Sequence, residues 1–563
     1  MRRSLYIAVA FVAFAAGLTL SVGASPGAVD ICSSLLKNAT LRALPDTTIT
    51  SAATTVGELT QPGAKKPLSD LPSFCRVTAT LKPSPASDIK VEIWMPTAGW
   101  NGKLEGVGSG GLAGAISYSA VPENIEHASL VDAIKNGYAG VSTDTGHVEN
   151  DRTWLANEEK EKDYGYRAIH GMSVTAKAAI QAFYGQPAKH SYFSGCSTGG
   201  GQALGEAQLY PEDYDGILAG APQNYLTHSR AFDLFEYQLI HSTDPPVKLS
   251  KATLALVTKT VMKRCGSDYG ADKDGFLSSD PRECWFGVEE LLCKEGDDPA
   301  NCLTAAQVKV VTKVYGEFIL PRTNTEIFPG LPVGSEQPGG PGESGWAPRP
   351  YLGGSPFASS SASQFYALGV LQDPNADLRK VDVGALVQMA DKKFPYVNHT
   401  SLNLDGFIQH GGKLFIFHGW DDPDISVYNS INYYSSYVDA LQRKLHVDHA
   451  AALAEAQKSV RFFAVPGMAH CGGGPGPTNF DPLKTVDQWV DKNVVPDKIE
   501  ASHVANGVKT FSRPLCPYPQ FAAYSEKGDR KDAANWACVS EHWSFELYDR
   551  YFYAPELAPK GRE

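Results

Sequence analysis

One serine in this sequence lies in a pattern that is typical of covalent ester and peptide chemistry. Residues 195–199 read Gly-Cys-Ser-Thr-Gly, a match to the pattern G-x-S-x-G, and they follow a short strand-like run. A sharp turn from a strand into a helix projects such a serine hydroxyl outward, and the flanking glycines avoid Cβ clashes in the turn. We therefore predict that Ser197 is a nucleophile; the alternative is a structural turn without chemistry.

A serine hydroxyl needs a base, and the base needs a carboxylate that orients it. When the pattern opens a helix in an α/β sheet, these partners follow in the order Asp and then His, each after a later strand. His470, in a glycine-rich loop after the last strand-like run, is the expected base, whereas His418 at a strand end is better explained by packing or hydrogen bonding. Asp421, Asp422 and Asp424 compete for the carboxylate role, and the residues alone do not separate them.

Two cysteines are direct neighbours of the expected catalytic pair. Cys196 precedes Ser197, and Cys471 follows His470. Because a productive serine–histidine pair is roughly 3 Å apart, their neighbours can reach the Cα separation of roughly 5.5–6 Å that a disulfide needs. We therefore predict a Cys196–Cys471 bridge. Two unrelated free thiols are the alternative, and they are unusual in exported proteins.

The oxyanion that forms on the ester carbonyl needs two N–H donors. The first is expected from the residue after the nucleophile, Thr198, at the start of a helix. The second is expected from a loop after an early strand, where residues 108–111 read Gly-Ser-Gly-Gly. Gly111 is the first choice and Gly110 the second, and a plain tight turn is the alternative.

Strand-like and helix-like segments alternate on both sides of these residues. The strand-like runs cover 91–96, 103–107, 137–144, 191–194, 413–418 and 460–465, and an amphipathic helix covers 167–184. This alternation predicts a mainly parallel sheet between two layers of helices. Residues 224–405 interrupt the pattern with loop-rich sequence, including a Pro- and Gly-rich stretch. We therefore predict an α/β fold of the α/β-hydrolase type, with residues 25–223 and 406–563 as catalytic domain and 224–405 as an inserted lid domain.

Composition and the first residues exclude several classes of function. The chain has 50 Lys and Arg against 62 Asp and Glu, a net charge of −12, which is the opposite of a nucleic-acid-binding footprint. Residues 1–24 combine a basic start, an apolar run and small residues before Ser25, a pattern that predicts a secretory signal peptide. No later run approaches the roughly 20 apolar residues that a membrane span needs. We expect a secreted protein, extracellular or periplasmic, and the even count of ten cysteines fits an oxidising compartment.

The three motifs together resemble those of the tannase and feruloyl esterase family of secreted serine esterases, which includes a bacterial mono(2-hydroxyethyl) terephthalate hydrolase. The resemblance covers nearly the whole mature chain and is strongest at 195–200, at 418–425 (His-Gly-Trp-Asp-Asp-Pro-Asp-Ile) and at 470–471. It implies that Asp422 is the triad aspartate, because the family pattern is H-G-x-x-D-x-x-I. It also implies four further disulfides: Cys32–Cys75, Cys265–Cys284, Cys293–Cys302 and Cys516–Cys538.

The same resemblance implies a structural calcium ion in the lid, in the loop closed by Cys265–Cys284, and no organic cofactor. Clustered carboxylates beside a turn glycine suit this oxygen-seeking cation. The ligands matched to the family are Asp274 and the Phe276 carbonyl, with Asp268 and Asp272 as further guesses. The loop departs from the family in having glycine after Cys265, and a solvated acidic loop is the alternative. A second departure is Gly201, where many members carry arginine.

These features predict an esterase that cleaves esters of aromatic acids, with a feruloyl esterase as the leading expectation. A tannin acyl hydrolase and a terephthalate-monoester hydrolase are close alternatives. A catalytically silent binder of phenolics or polysaccharide, and a secreted serine peptidase, are alternatives from other classes. The expected partner is a small aromatic ester or a phenolic-decorated polysaccharide. We expect lid aromatics, in the region 357–396, to stack on the acyl ring, and the sequence does not indicate the oligomeric state.

Overall fold

The computed structural model describes most of the chain. It covers residues 31–120, 128–148, 151–269, 271–284, 286–320, 325–336, 345–346 and 360–540, and between 266 and 272 it describes only the backbone. The predicted signal peptide, residues 1–24, lies outside these ranges. The description below concerns these ranges.

Nine strands form one mixed sheet at the centre of the protein. The order across the sheet is β1-β2-β3-β5-β4-β6-β7-β10-β11. Neighbours from β5 to β11 pair in parallel, whereas β1, β2, β3 and β5 pair antiparallel. Their bounds are β1 Thr47–Leu59, β2 Leu68–Leu81, β3 Ile89–Pro96, β4 Lys103–Val107, β5 Ala139–Thr143, β6 His190–Cys196, β7 Gly216–Gly220, β10 Lys413–Gly419 and β11 Val460–Val465. A parallel core with an antiparallel edge confirms the predicted α/β-hydrolase class.

The parallel strands are buried on both faces, which is why their sequences read as continuous apolar runs. Successive residues of a strand point to opposite faces. In β10, Leu414 and Ile416 join the larger apolar cluster, whereas Phe415 and Phe417 join a second cluster on the other face. The sheet is therefore covered by two apolar layers, each built by helices.

Sixteen helices are described, and several pack on the sheet. Helix α5 packs on β5, β3 and β4, and α6 lies against β6 and β7, while α16 packs on β7 and β10. Within the ranges described, none of them is both long and apolar enough to cross a membrane. Their bounds are α1 Ile31–Ser34, α2 Ala39–Arg42, α3 Leu130–Lys135, α4 Glu158–Lys162, α5 Ala168–Tyr184, α6 Thr198–Leu209, α7 Leu226–Ile240, α8 Lys251–Tyr269, α9 Ala271–Asp274, α10 Ala305–Tyr315, α11 Ser361–Gln364, α12 Val383–Lys393, α13 Asp405–Gln409, α14 Val427–Leu445, α15 His449–Ala456 and α16 Pro482–Lys492.

The segment between β7 and β10 makes no strand of the central sheet in its described part. It holds α7 to α13 and a hairpin of β8 (Phe318–Leu320) and β9 (Thr325–Phe328). Because β7 and β10 are neighbours, the chain leaves the sheet after β7 and returns beside it. This is the topology expected of an insertion, and the predicted lid boundaries at 224 and 405 stay a prediction.

After β11 and α16, the described residues up to 540 form two small antiparallel hairpins. They are formed by β12 (Ile499–Ala505) with β13 (Val508–Leu515), and by β14 (Gln520–Tyr524) with β15 (Trp536–Ser540). Strand β13 also packs against β14 and β15. The two hairpins therefore form one C-terminal unit. Arg513 and Arg530 of this unit contact Asp274 of the insertion.

All ten cysteines are paired, in the five combinations expected from the sequence. Four bridges are local fasteners: Cys32–Cys75 holds the N-terminal helices to β2, Cys516–Cys538 joins the two C-terminal hairpins, and Cys265–Cys284 and Cys293–Cys302 close loops in the insertion. The fifth, Cys196–Cys471, lies at the carboxyl edge of the sheet.

Candidate active site

Ser197 occupies the sharp turn between β6 and α6 that the sequence predicts. Its backbone has φ 62° and ψ −122°, a conformation that non-glycine residues rarely adopt. A Cβ at Gly195 would lie 2.5 Å from the carbonyl oxygen of Gly199, so glycine is required there for the strand and the helix to approach. Strain held at one residue in this way is common at functional sites. The turn therefore presents the Ser197 side chain at the start of a helix.

His470 and Asp422 meet because the loops after β10 and β11 lie against each other. The backbone N–H of Asp421 donates to the carbonyl of Met468 at 3.0 Å. A Cβ at Gly419 would fall 2.0 Å from that same carbonyl oxygen, so only glycine allows this approach. The result is a hydrogen bond from His470 Nδ1 to Asp422 Oδ2 of 2.8 Å.

Asp422 is fully buried and accepts hydrogen bonds on both oxygens. Oδ1 accepts the backbone N–H groups of Asp424 at 2.8 Å and Ile425 at 3.0 Å. Oδ2 accepts from His470 and from His418. Burial alone raises the pKa of Asp422, but the neighbouring charge of His470 and the hydrogen bonds from both histidines outweigh it, so the net pKa is well below the usual range.

The geometry also separates the three aspartates that the residues alone left open. His470 contacts Asp422, whereas the side chain of Asp424 is exposed and its backbone N–H supports the Asp422 carboxylate. Asp421 is buried, and its N–H holds the His470 loop. The backbone of Asp424 therefore supports the Asp422 carboxylate, and the backbone of Asp421 supports the loop that carries His470.

His418 is the residue whose role the sequence least revealed. It is fully buried, and its Nε2 lies 3.0 Å from Asp422 Oδ2 and 2.9 Å from the carbonyl of Ile425. Since both of these atoms only accept, Nε2 must carry a proton, and Nδ1 lies 2.8 Å from Ser430 Oγ. A hydrogen-bonding histidine was expected here, but the strand pattern carries no signal that its partner is the same oxygen that orients His470.

The disulfide Cys196–Cys471 ties the turn of Ser197 to the loop of His470. Its Cα atoms are 5.9 Å apart, and it links positions that are 275 residues apart in the chain. Ser197 and His470 both line one open cavity of about 410 Å³. The bridge forms part of the wall of this cavity, so it holds the nucleophile loop against the histidine loop.

Of the expected oxyanion donors, Gly110 and Gly111 line the same cavity, and Thr198 directly follows Ser197, which lines it. Thr198 is the first residue of α6, where backbone N–H groups are free of helical partners. Gly110 and Gly111 are exposed in the cavity wall. Among the described residues, no hydrogen-bond acceptor is found for the N–H groups of Thr198, Gly110 or Gly111. These donors are therefore available to an oxygen atom bound beside Ser197.

The described wall of the cavity differs from the sequence expectation. It includes Gln61 from the β1–β2 hairpin and Ile116, Tyr118 and Ser119 from the loop after β4, and no described residue of the insertion. These residues lie in irregular segments without periodicity or motif, so no sequence signal pointed to them.

Three aromatic residues of the region expected to stack on a substrate are instead packed with one another, whereas Tyr396 is half-buried beside Tyr166. Phe365, Tyr366 and Phe394 are at most 1% exposed, and the ring centroids of Phe365 and Phe394 are 4.7 Å apart. Phe357 lies outside the described residues. These three rings therefore form lid core.

Asp274, the best-matched ligand of the predicted calcium loop, is instead paired with two arginines. Asp274 Oδ1 accepts from Arg513 at 3.0 Å, and Asp274 Oδ2 accepts from Arg530 at 2.7 Å. A calcium ion on this carboxylate would lie beside two guanidinium groups, which keep their positive charge. The described part of the loop therefore does not fit the predicted ligand set.

The other predicted ligands add nothing that favours calcium. The backbones of Asp268 and Asp272 lie in α8 and α9, but their side chains are outside the description, and the Phe276 side chain is buried against Phe511. No group of three acidic, histidine or cysteine residues in the described ranges fits a metal ion. Calcium binding stays a prediction, and the proposed reaction does not depend on it.

Comparisons with known proteins identify the family of the chain. Residues 75–539 match the family described as tannase and feruloyl esterase. An uncharacterized esterase of Xanthomonas campestris pv. campestris is 33% identical over 538 residues, which cover 88% of this chain and 89% of that protein. A probable feruloyl esterase B-2 of Neosartorya fischeri is 31% identical over 488 residues, with coverage of 83% and 86%. The crystal structure of feruloyl esterase B from Aspergillus oryzae has a TM-score of 0.77 at 27% identity, covering 90% of this chain and 99% of that one.

Proposed function

The chain belongs to the tannase and feruloyl esterase family, and from this premise we propose that Ser197, His470 and Asp422 are its catalytic triad. Its family makes it a carboxylic-ester hydrolase of the feruloyl esterase type. One observation carries the assignment of residues: His470, bonded to the buried Asp422 at 2.8 Å, lines the same cavity as the strained Ser197. The disulfide between their neighbours supports the same pairing.

In the first half of the reaction, Ser197 Oγ attacks the ester carbonyl while His470 Nε2 takes the hydroxyl proton. Asp422 holds the imidazole through Nδ1 and balances the positive charge that forms on it. The carbonyl oxygen becomes an oxyanion, which the N–H groups of Thr198 and Gly111 stabilise. The bond to the alcohol oxygen then breaks, and His470 returns the proton to the leaving alcohol.

In the second half, water replaces the alcohol. His470 takes a proton from the water, and the hydroxide attacks the acyl carbon of the Ser197 ester. The same two N–H donors stabilise the second oxyanion. When it collapses, the aromatic acid leaves and the proton returns to Ser197 Oγ, so the enzyme is regenerated without any cofactor in the cycle.

The acid part of the substrate is proposed to be a hydroxycinnamic or related phenolic acid. Two relatives support this choice. A probable feruloyl esterase B-2 is 31% identical in sequence, and the feruloyl esterase B of known crystal structure is 27% identical in sequence. An ester of gallic acid and a terephthalate monoester are the competing substrates. The alcohol part can be a small alcohol or a sugar of a decorated polysaccharide.

Covalent labelling tests the nucleophile. A fluorophosphonate should label the wild-type protein once and should not label Ser197→Ala. Ser119→Ala is the matched control, because Ser119 is exposed in the wall of the same cavity and should leave labelling unchanged. A folded wild-type protein that resists the reagent would be a silent binder and would end the esterase proposal.

A substrate panel tests the acid preference. Methyl ferulate, methyl gallate and a terephthalate monoester are compared, with Ser197→Ala as the blank. We expect the highest kcat/KM on methyl ferulate. A preference for gallate or terephthalate would replace the feruloyl assignment, and faster hydrolysis of the amide of ferulic acid than of its ester would indicate a peptidase.

We also propose that the protein works outside the reducing cytoplasm. Five disulfides, one of them between the catalytic loops, require an oxidising compartment to form and persist. Sequencing the N-terminus of protein exported by its host should find Ser25 as the first residue. An intact N-terminus on protein retained in the cytoplasm would contradict this proposal.

A further inference from the structure

The loop that carries Gly111 is a tight turn of defined geometry. The N–H of Ala113 donates to the carbonyl of Gly110 at 2.9 Å, and Gly111 has φ 60° at the first central position. Leu112, the second central residue, has no positive φ, so the turn belongs to the II′ class, which requires glycine at the first position. Because the Gly110 carbonyl points into the turn, the N–H of Gly111, in the same trans peptide, points away from it.

Two side chains hold the next two carbonyls of this turn. The hydroxyl of Thr198 donates to the carbonyl of Gly111, across 87 positions of sequence. The ring of His147 donates from Nε2 to the carbonyl of Leu112 at 2.8 Å. Burial lowers the pKa of His147 to about 4, so the ring is neutral at neutral pH, and the carbonyl contact places its proton on Nε2. Both carbonyls are therefore fixed from the protein interior.

The Thr198 hydroxyl is itself held by a chain of polar groups that leads into the insertion. Its oxygen lies 3.1 Å from Oε1 of Gln223, a second and more distant acceptor for the one proton that it donates to Gly111, and this Oε1 also accepts from Arg230 at 3.1 Å. Arg230 belongs to α7 and pairs with Asp233 at 2.9 Å on the same helix. The amide nitrogen of Gln223 donates to Ser229 at 3.0 Å, which fixes the orientation of this amide. Thr198 thus joins the nucleophile helix, the turn and α7.

We propose that the side chains of Thr198 and His147 are positioning residues for the oxyanion hole, an inference that rests on the proposed function. The backbone N–H of Thr198 is one expected oxyanion donor, and its hydroxyl fixes the turn that carries the other. One residue therefore sets the distance between the two donors. His147 fixes the far side of the same turn.

The effect follows from how an oxyanion hole works. Its donors must lie 2.7–3.1 Å from the developing charge, and one lost donor costs roughly 10²–10³ in kcat. A turn that is loosened rather than removed should cost less. Substrate in its ground state gains little from these donors, so KM should change little.

The test replaces the hydroxyl of Thr198 and keeps its backbone N–H. Thr198→Val should lower kcat about 10- to 100-fold with KM within about twofold of the wild type. Thr198→Ser, which restores the donor, should recover most of the loss. Affinity for an aryl boronate, which forms a tetrahedral adduct on serine, should fall in parallel with kcat.

Thr175→Val is the matched control. Thr175 is buried, and its hydroxyl donates to the carbonyl of Gly171 at 2.7 Å inside α5, away from the catalytic cavity. The same loss of a hydroxyl there should leave kcat and boronate affinity unchanged. Equal losses in both valine variants would reduce Thr198 to a structural residue and overturn the proposal.

If Thr198→Val does not fold, His147→Phe tests the second carbonyl. Phenylalanine keeps the ring that stacks on Trp154 at 4.6 Å but cannot donate to Leu112. It should also lower kcat more than it changes KM. Unchanged kcat and boronate affinity in a folded variant would overturn the proposal. A wild-type protein that fluorophosphonate does not label would instead defeat the proposed function, so the two failures are distinguishable.

Discussion

Asp422 in the catalytic cleft and Asp274 in the insertion are both aspartates that the sequence marks as functional, and both are removed from solvent. The Asp422 side chain is 0% exposed and the Asp274 side chain 7%. Asp422 accepts from two imidazoles and two backbone N–H groups. Asp274 accepts from two guanidinium groups.

The difference lies in whether the partners can change their charge. Histidine can take up and release a proton near neutral pH, so His470 can become positively charged beside the ionised Asp422 during the reaction and then return to its neutral form. Arginine stays protonated, so the cluster at Asp274 has a constant charge and serves to hold two parts of the structure together. The same side chain therefore has a proposed role in catalysis in one place and attaches the insertion to the C-terminal hairpins in the other.

The contrast is extended by aromatic rings around the arginines. The guanidinium of Arg513 lies 4.0 Å and that of Arg530 4.7 Å from the ring centroid of Trp536. Cations over aromatic faces gain further attraction. This packing keeps the guanidinium planes beside Asp274, where the predicted calcium site would place a metal.

The largest expected effect separates the two aspartates by activity. Asp422→Asn should lower kcat/KM by about 10⁴, because the amide cannot hold His470 in the correct tautomer. Asp274→Asn should leave kcat/KM within about threefold of the wild type at 25 °C, since Asp274 takes no part in the reaction. Steady-state hydrolysis of methyl ferulate measures both. Comparable losses of kcat/KM in the two variants would contradict the distinction between a catalytic Asp422 and a structural Asp274.

The second expected effect is on stability. The loss of the Asp274 carboxylate should lower the free energy of unfolding more than the loss of a carboxylate in a surface ion pair. Asp274→Asn should lower the free energy of unfolding by about 3 kcal/mol, because it leaves two guanidinium groups without their partner. Asp377→Asn is the matched control, since Asp377 and Arg379 form a salt bridge in which both side chains are about half exposed. Its loss should lower the free energy of unfolding far less, because solvent screens an exposed ion pair.

Denaturant unfolding of these two variants gives the measurement. Equal, small changes in both would mean that the Asp274 cluster contributes no more than an ordinary surface ion pair. That result would contradict the claim that Asp274 and its two arginines hold the insertion to the C-terminal hairpins.

A third, smaller effect tests the second histidine on Asp422. His418→Phe should lower kcat about 10-fold, the value of one hydrogen bond to a charged group. His418→Gln can still donate from the position of Nε2 and should keep most of the activity. Because His418 is fully buried, thermal unfolding of both variants is measured alongside kinetics. A folded phenylalanine variant with full activity would show that His470 alone suffices to position Asp422.

The smallest expected effect concerns calcium. If the arginines use Asp274 as the structure shows, chelation with EDTA should shift the melting temperature by less than about 1 °C, since a bound ligand at saturation contributes stability that its removal takes away. A clear fall that added calcium reverses would restore the calcium prediction. It would also show that the arginines are not the final partners of Asp274.

Local patterns explain why the arrangement of much of the candidate site was predictable. The strand-to-helix turn at Ser197 and the glycine-rich loop at His470 are signals within a few residues. The bridge between Cys196 and Cys471 follows from them, because a residue next to a catalytic group lies within one Cα–Cα step of 3.8 Å from it. The alternation of strands and helices predicted the class of fold for the same reason.

Other features depend on partners that no local pattern connects. The choice of Asp422 among three aspartates came from the family resemblance and from the contact with His470, since all three occupy the same acidic turn. The aromatic residues expected at the substrate proved to be lid core in the case of Phe365 and Phe394. A core ring and a binding ring have the same sequence signal, because both are simply apolar.

By itself, the sequence determined the nucleophile turn, the order of the catalytic residues, the cysteine pairing and the alternating sheet, because each depends on neighbours in the chain or on a family pattern. Only the tertiary structure decided what contacts Asp274, Thr198 and His418. The arginines of Asp274 are 239 and 256 positions away, and Gly111 is 87 positions from Thr198. Contacts between residues so far apart in the chain are set by the packing of the whole sheet, the insertion and the C-terminal hairpins. The local sequence around each residue therefore does not predict them.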